Sequence, residues 1–508
     1  MSTEVHAGHG HVLRLRRLGI DTYDEPVIYM AQDCPVCRAE GWQALARVEV
    51  RHGDRVIVAT IHVVTDGLLA AEEASLSNAA WTMLDAVEGG TVRIAPSSPL
   101  YSLSSVRAKV YGDRLEEPAM RGIIRDVAAG RYSPVHLAAF VTACAGGRLD
   151  LEETVSLTRA MVDVGARLTW PLSPIVDKHS VGGLPGNRTT MIVVPVLAAL
   201  GFTMPKTSSR AITSPSGTAD AMETVAPVAL DLPAIRRVVD REGACIVWGG
   251  AVRLSPADDV IIRVERPLDL DSEGQLVASV LSKKIAAGST DVVIDMPVGP
   301  TAKVRSVSAA TALEARLLAV SRVLGLRLVV ERGDGSQPIG RGVGPALEAR
   351  DVLAVLQRDP RAPADLRDRA LSLAGAVVHL ASGRPATESY GIARAALDNG
   401  RAWSSFQAIC DAQGGMRVPP TARYTSVITA SRAGKVTAID NRQLARVAKL
   451  TGAPKAAAAG LELHVRVGAR VEAGQPLYTL HAEAPGELEY ARTYAPDPGA
   501  IVSVAEGG

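Results

Sequence analysis

Hydrophobic and polar positions along this chain change rhythm several times. Over 44–50 and 55–64 they alternate, as strands with one buried face do, and His52-Gly53-Asp54 between them has hairpin-turn chemistry. The spacing becomes helical over 68–88, passes through a short strand at Val92-Arg93-Ile94 and breaks at Pro96-Ser97-Ser98-Pro99. From 101 to 170 the period is that of helices, predicted over 120–129, 134–145 and 150–164. Each is closed by a glycine, Gly130, Gly146 or Gly165, and Ser133 before Pro134 is a helix-capping pair. Beyond 172 short apolar strands (174–176, 245–248, 292–296, 326–330) alternate with helices, the signature of a largely parallel sheet covered by helices. Past 420 the chain returns to β segments, 425–430, 434–440, 462–467 and 469–480, around one helix at 441–450.

Composition narrows the function classes. A chain of 508 residues holds two or three domains with real cores. Lys plus Arg number 55 against 54 for Asp plus Glu, so no net charge marks a nucleic-acid or membrane partner. Aromatics at 4 % argue against base-stacking platforms. No apolar run has the length of a signal peptide or a spanning helix, which leads us to expect a cytoplasmic enzyme. Five cysteines do not make a disulfide framework. Cys34-Pro-Val-Cys37 is half of a zinc site, but no second CxxC follows at ribbon spacing, so a loop with two thiols and no metal is expected.

Candidate chemistry concentrates in 177–223. Lys178, His179 and Ser180 stand at the mouth of a turn, Gly182-Gly183-Leu184-Pro185-Gly186, and an apolar helix is predicted over 191–202. A second loop follows with Lys206, Thr207, Ser208, Ser209, Arg210, Thr213, Ser214, Ser216 and Thr218. Glycines let backbone N–H groups converge on a phosphate, a helix N-terminus adds positive potential, and hydroxyls and cations complete the donors. Two such loops joined by one helix predict a site that grips an anion from two sides. No Gly-Lys-Ser/Thr closes the turn, so it is not a Walker loop.

The motifs DKHS-x-GG and SSRAITS…GTAD…E resemble the thymidine phosphorylase family of nucleoside phosphorylases, in the fold group that includes anthranilate phosphoribosyltransferase. The likeness covers the whole chain and is greatest to the long branch that contains archaeal AMP phosphorylases. It implies an α/β fold with a small β-rich domain (1–98), an all-helical dimerisation domain (99–170 plus 255–288), a large α/β phosphate-binding domain with a mostly parallel sheet (171–254 plus 289–420) and a C-terminal α+β subdomain (421–508). The hairpin at Gly468–Gly474 resembles those of lipoyl-like domains, but no lysine is displayed on it.

The resemblance implies phosphorolysis: phosphate attacks C1′ of a nucleoside, the base leaves, and a sugar 1-phosphate forms. It places phosphate ligands at Lys178, Ser180, Thr190, Ser208 and Thr218, and an active-site histidine near the sugar and base at His179, whose ordinary pKa of about 6.5 suits a proton donor or a polariser. It places base contacts at Ser279 and Lys283, four apart on one helix face, with an arginine upstream that is Arg263 or Arg266. By analogy with the AMP phosphorylase branch, Asp271 is the general acid, and Gly183, Ser209, Arg210, Ala211, Ile212, Thr213, Ser214, Thr218, Ser279 and Lys303 touch a nucleotide. Asp271 fits equally well as a helix cap. No cofactor is implied beyond inorganic phosphate as co-substrate, and the partners are a nucleoside or nucleotide, phosphate, and a second copy of the chain in a homodimer or larger homo-oligomer.

The substrate stays open at this level. Where ordinary thymidine phosphorylases carry glycines in the second loop, this chain has Ser209, Ala211, Thr213, Ser214, Pro215 and Ser216. Added hydroxyls beside Lys206 and Arg210 are what a second phosphate needs, which favours a nucleoside 5′-monophosphate. A phosphoribosyltransferase, with Asp258 and Asp259 holding magnesium, is a more distant alternative, and an idle scaffold a still more distant one.

Overall fold

A computed structural model describes residues 11–211, 214–268, 270, 272–494 and 498–505. The chain forms two compact units, Met1–Ala143 and Cys144–Gly508.

The first unit is built on a closed six-stranded barrel. Its strands run, around the barrel, His11–Leu15, Glu73–Leu76, Val27–Ala31, Arg55–Val64, Arg47–His52 and Thr91–Pro96. The hairpin predicted at His52-Gly53-Asp54 is present, with His52 opposite Arg55. The helix predicted over 68–88 is not continuous. Glu73–Leu76 becomes a strand, and only Asn78–Leu84 is helical, capped by Ser77, whose hydroxyl accepts from Ala80 N at 3.3 Å. The reason is tertiary: Ala74 and Leu76 are buried while their backbone pairs with two strands remote in sequence, which outweighs local spacing. Cys34 and Cys37 do not lie on an open loop. They flank the start of the helix Pro35–Glu40, buried in the barrel core, and burial together with the neighbouring Cys34 pushes the Cys37 thiol up to about 11. Helices Leu103–Val110, Glu117–Ala128 and Pro134–Cys144 follow.

The second unit opens with the helix Leu151–Asp163, closed at its start by a capping box in which Asp150 and Glu153 each accept the other's backbone N–H. Its centre is parallel β structure. Strands Arg327–Asp334, Asp291–Val298 and Val176–Ser180 form one sheet in that order. Met204–Ser208 and Ala244–Trp248 form a second parallel pair, joined to the first sheet by a bridge between Ile175 and Thr203. From Val176–Ser180 the chain moves outward one way through 204–208 to 244–248. It then returns to the other side for 291–298 and 327–334. The order of strands therefore reverses between 176–180 and 291–298, and in open α/β sheets ligands bind at the carboxyl ends of strands beside such a reversal.

The helix Thr190–Ala199 connects 176–180 to 204–208 and is buried on nearly every face, as its unbroken apolar run requires. It packs against the helices Ala364–Ser382 and Arg401–Ala412 in the largest apolar core. The helices Pro256–Leu268 and Glu273–Ala286 lie in the same unit, the latter packed on Leu151–Asp163. Toward the C-terminus, Tyr424–Thr429, Pro476–Ala482 and Gly460–Leu463 make a sheet extended by Gly342–Val343, and Gly434–Ile439 pairs with Arg470–Val471 and Val502–Ala505. The helix predicted at 441–450 is present as Asn441–Leu450, and a second one, Pro485–Tyr494, was not apparent from spacing.

Candidate active site

The strand predicted over 174–176 in fact runs Val176–Ser180, so the Lys-His-Ser triplet is its carboxyl end. Lys178 is wholly buried. Its ammonium donates to Thr189 Oγ1 at 2.7 Å, just ahead of the helix 190–199, and pairs with Asp295 Oδ2 at 3.2 Å across the strand reversal. Burial pulls the Lys178 pKa down, and Asp295 opposes that pull. Asp295 is itself braced by the Arg369 guanidinium and by Asn187 Nδ2 at 2.8 Å. Burial pushes its carboxyl up, but Lys178 and Arg369 outweigh that and hold it below the usual range.

The glycine turn takes its shape from contact as much as from flexibility. Gly183 has φ of +81°, and a Cβ there would stand 2.5 Å from the Lys303 backbone nitrogen. Gly186 has φ of +75°, and a Cβ would meet the Ile339 carbonyl at 2.0 Å. Only a residue without a side chain lets 182–186 lie this close to its neighbours. Beyond the turn, Arg188 reaches away from it: Nε faces Glu348, Nη1 donates to Thr218 Oγ1 at 2.9 Å and Nη2 to the Ser216 carbonyl at 2.9 Å. One arginine thus joins the first loop to the second.

The second loop is held by Asp220, whose carboxylate accepts from Ala211 N at 2.6 Å and Gly217 N at 2.8 Å. Ser208 ends the strand 204–208 with its hydroxyl buried and without a hydrogen-bond partner. A buried orphan hydroxyl costs free energy unless something completes it. Thr190 is buried at the first position of its helix, and Ser180 Oγ accepts from Gly182 N at 3.3 Å.

Both cations expected around a second phosphate, Lys206 and Arg210, are already engaged. Lys206, buried on the strand 204–208, is paired with Asp177, whose Oδ1 accepts from it at 3.0 Å and whose Oδ2 accepts from Lys284 at 2.6 Å. Arg210 pairs with Glu223 at 2.5 Å and Asp220 at 3.2 Å, and its guanidinium lies 4.8 Å from the Trp248 ring centroid. Ser214 Oγ donates to the Ser216 carbonyl at 2.7 Å, and Ser216 Oγ to the Gly217 carbonyl at 3.2 Å. Ser209 is exposed, and Ile212, Thr213 and Asp271 lie outside the described residues.

His179 sits in a buried and strongly cationic setting. Burial, reinforced by Lys284, Lys206, Lys283 and Lys178, holds its pKa well below 6.5, so it is a neutral imidazole at neutral pH. As a neutral ring it can still donate one N–H. Lys283 and Ser279 share a helix face as spacing predicts, with Nζ 3.4 Å from Ser279 Oγ. Lys283 also pairs with the buried Asp258 at 2.5 Å, so the carboxylate weighed for magnesium is already neutralised by an ammonium. Among the described residues no group of three or more His, Cys, Asp or Glu side chains is arranged to hold a metal. Arg263 lies on the helix 256–268 within electrostatic reach of Asp259, and the Arg266 side chain is outside the described set. Asn187, Asp295, Glu348 and Arg369 carry no signal in the motifs, and Asp220 stands within GTAD without its loop-holding role being evident there. The polar run Asn187-Arg188-Thr189-Thr190 was a usable signal; the Arg188–Glu348 pair, 160 residues apart, was not.

The chain is similar to known proteins over nearly its whole length. Residues 104–165 match "Glycosyl transferase family, helical bundle domain", 172–403 match "Glycosyl transferase family, a/b domain", and 435–496 match "Pyrimidine nucleoside phosphorylase C-terminal domain". A Polaromonas sp. (strain JS666) protein named "Putative thymidine phosphorylase" is 62 % identical over 98 % of this chain and 97 % of its own length. A namesake from Legionella pneumophila is 56 % identical over 98 % and 96 %. Among solved structures, anthranilate phosphoribosyltransferase from Thermus thermophilus superposes with a TM-score of 0.51 at 21 % identity, covering 61 % of this chain and 99 % of its own, a likeness of fold alone. With such identity across nearly its full length, this chain belongs to the thymidine phosphorylase family and is a pentosyltransferase of the glycosyl transferase type, ending in the pyrimidine nucleoside phosphorylase C-terminal domain.

Proposed function

We propose that the protein cleaves the N-glycosidic bond of a nucleoside by phosphorolysis, in the manner of a thymidine phosphorylase. A phosphate oxygen attacks C1′ and the C1′–N bond breaks. Its electron pair leaves with the base, which takes up a proton, and a pentose 1-phosphate remains. Such a reaction passes through a transition state with oxocarbenium character, so phosphate must be held in line, and charge gathering on the base must be stabilised. Lys178, Ser180, Thr190, Ser208 and Thr218 are the proposed phosphate ligands, aided by the N-terminus of the helix 190–199. His179, as a neutral donor, and Ser279, Lys283 and Arg263 are proposed at the sugar and base, and no metal or cofactor is assigned a role.

The observation that carries this reading is the Ser208 hydroxyl, buried and unpartnered at a strand carboxyl end in the same fold region as the buried Lys178 ammonium. An incoming oxyanion satisfies such a donor. The preference for a nucleoside over its 5′-monophosphate rests on Ser214 and Ser216, whose single hydroxyl protons are each spent on a backbone carbonyl. A second reading, phosphorolysis of a nucleoside 5′-monophosphate with Asp271 as acid and Lys303 among the contacts, is favoured by one feature. The Arg210 side chain keeps 35 % of its surface exposed beside the second loop.

The test is phosphate-dependent release of free base from thymidine, uridine, cytidine, AMP, CMP and UMP. Release from nucleosides above all is expected. Turnover confined to the monophosphates transfers the assignment to the second reading, and no phosphate-dependent release from any of the six refutes both.

A further inference from the structure

We infer that Asp258 is a positioning residue, holding the Lys283 ammonium where the departing base needs it; this rests on the phosphorolysis proposed above. Asp258 lies in the first turn of the helix Pro256–Leu268, where the helix dipole favours a carboxylate, and only 1 % of it is exposed. Its Oδ2 stands 2.5 Å from Lys283 Nζ, on the separate helix Glu273–Ala286. Beside the pair, Ser255 Oγ and Ser282 Oγ approach to 3.4 Å and tie the same two helices together.

An ammonium has three donors. Ser279 Oγ takes one at 3.4 Å, Asp258 faces the ammonium as an ion pair, and the lysine side chain keeps 18 % of its surface exposed for a ligand. Burial by itself lowers a lysine's pKa; Asp258, with Asp259 and Glu265 behind it, outweighs that and holds the Lys283 pKa above its ordinary value. The field of Lys283 also reaches His179, at the end of the strand that carries Lys178. The ammonium therefore acts electrostatically on the strand end that carries Lys178 and His179. A fixed charged donor is what stabilises negative charge developing on a leaving base, and an uncharged amine does so far less well.

The experiment is steady-state phosphorolysis of the best nucleoside by wild type, Asp258→Asn, Lys283→Ala and the double variant. Asp258→Asn is expected to lower nucleoside kcat/KM by about ten- to a hundred-fold, as loss of positioning does, with phosphate KM within about two-fold of wild type. The double variant should be no slower than Lys283→Ala, since both changes remove one interaction. Losses that multiply in the double variant, or a parallel rise in phosphate KM, identify a merely structural pair and overturn the inference. If Asp258→Asn does not fold, Asp258→Glu moves the charge by one methylene. A fall in nucleoside kcat/KM alone then supports the inference, and either no change or a change in both substrates overturns it. A wild type that releases no base from any nucleoside overturns the proposed function itself, and the role of Asp258 with it.

Discussion

Lys178 is the residue on which the phosphate end of the site turns, and its surroundings allow a clean test. Removing it leaves Asp295 still braced by Arg369 and Asn187, so the buried carboxylate is not stranded. Lys178→Ala and Ser208→Ala are each expected to reduce turnover by about two orders of magnitude or more while the protein stays folded, as loss of a transition-state donor does. Turnover within a few-fold of wild type in either variant would remove that residue from the phosphate site. His179 supports a different measurement. Its ring should titrate well below 6.5, read as the midpoint of its imidazole resonance, assigned by loss of that resonance in His179→Gln. The unfolded chain takes up this proton below about pH 6.5 while the folded one resists it, so this group's stabilising contribution is present above that pH and is lost as pH falls toward the depressed value. Lys178, His179 and Ser180 were legible in the sequence because they are contiguous and precede glycines. Asp295, Arg369 and Glu348 were not, because charges that meet only through tertiary packing leave no local pattern.

Among the elements, the glycine turn and the loop held by Asp220 decide how the donors converge. Gly183→Ala must adopt a left-handed backbone and press a methyl group into Lys303, so it is expected to cost at least about 1–2 kcal/mol of stability. Turnover should fall with it. Chemical denaturation checks the first effect, and an unchanged midpoint would show that the turn tolerates a side chain. Helix ends followed sequence spacing closely, since 120–129, 134–145 and 150–164 correspond to Glu117–Ala128, Pro134–Cys144 and Leu151–Asp163. Caps and terminal glycines are local chemistry, and local chemistry is readable. The strand Glu73–Leu76 was misjudged because its partners in the barrel lie elsewhere in the chain. In the second loop the hydroxyls and cations suggested a double-phosphate site, and packing turned most of them inward onto Asp177, Glu223 and the loop's own carbonyls.

For the molecule as a whole, a ligand that binds only the folded state stabilises it by mass action. Inorganic phosphate at about a hundred times its dissociation constant should add about 2.7 kcal/mol, seen as a rise in Tm that Lys178→Ala abolishes. A rise of equal size in the variant would place phosphate elsewhere. What the sequence determined by itself was the helices between 117 and 164, the glycine turn, the Lys-His-Ser triplet and the reaction class its motifs resemble, because each is written in residues a few positions apart. Which of the many lysines, arginines and serines remain free for a ligand was decided by the tertiary structure alone. Every buried charge must find an opposite charge, and those partners are chosen in space.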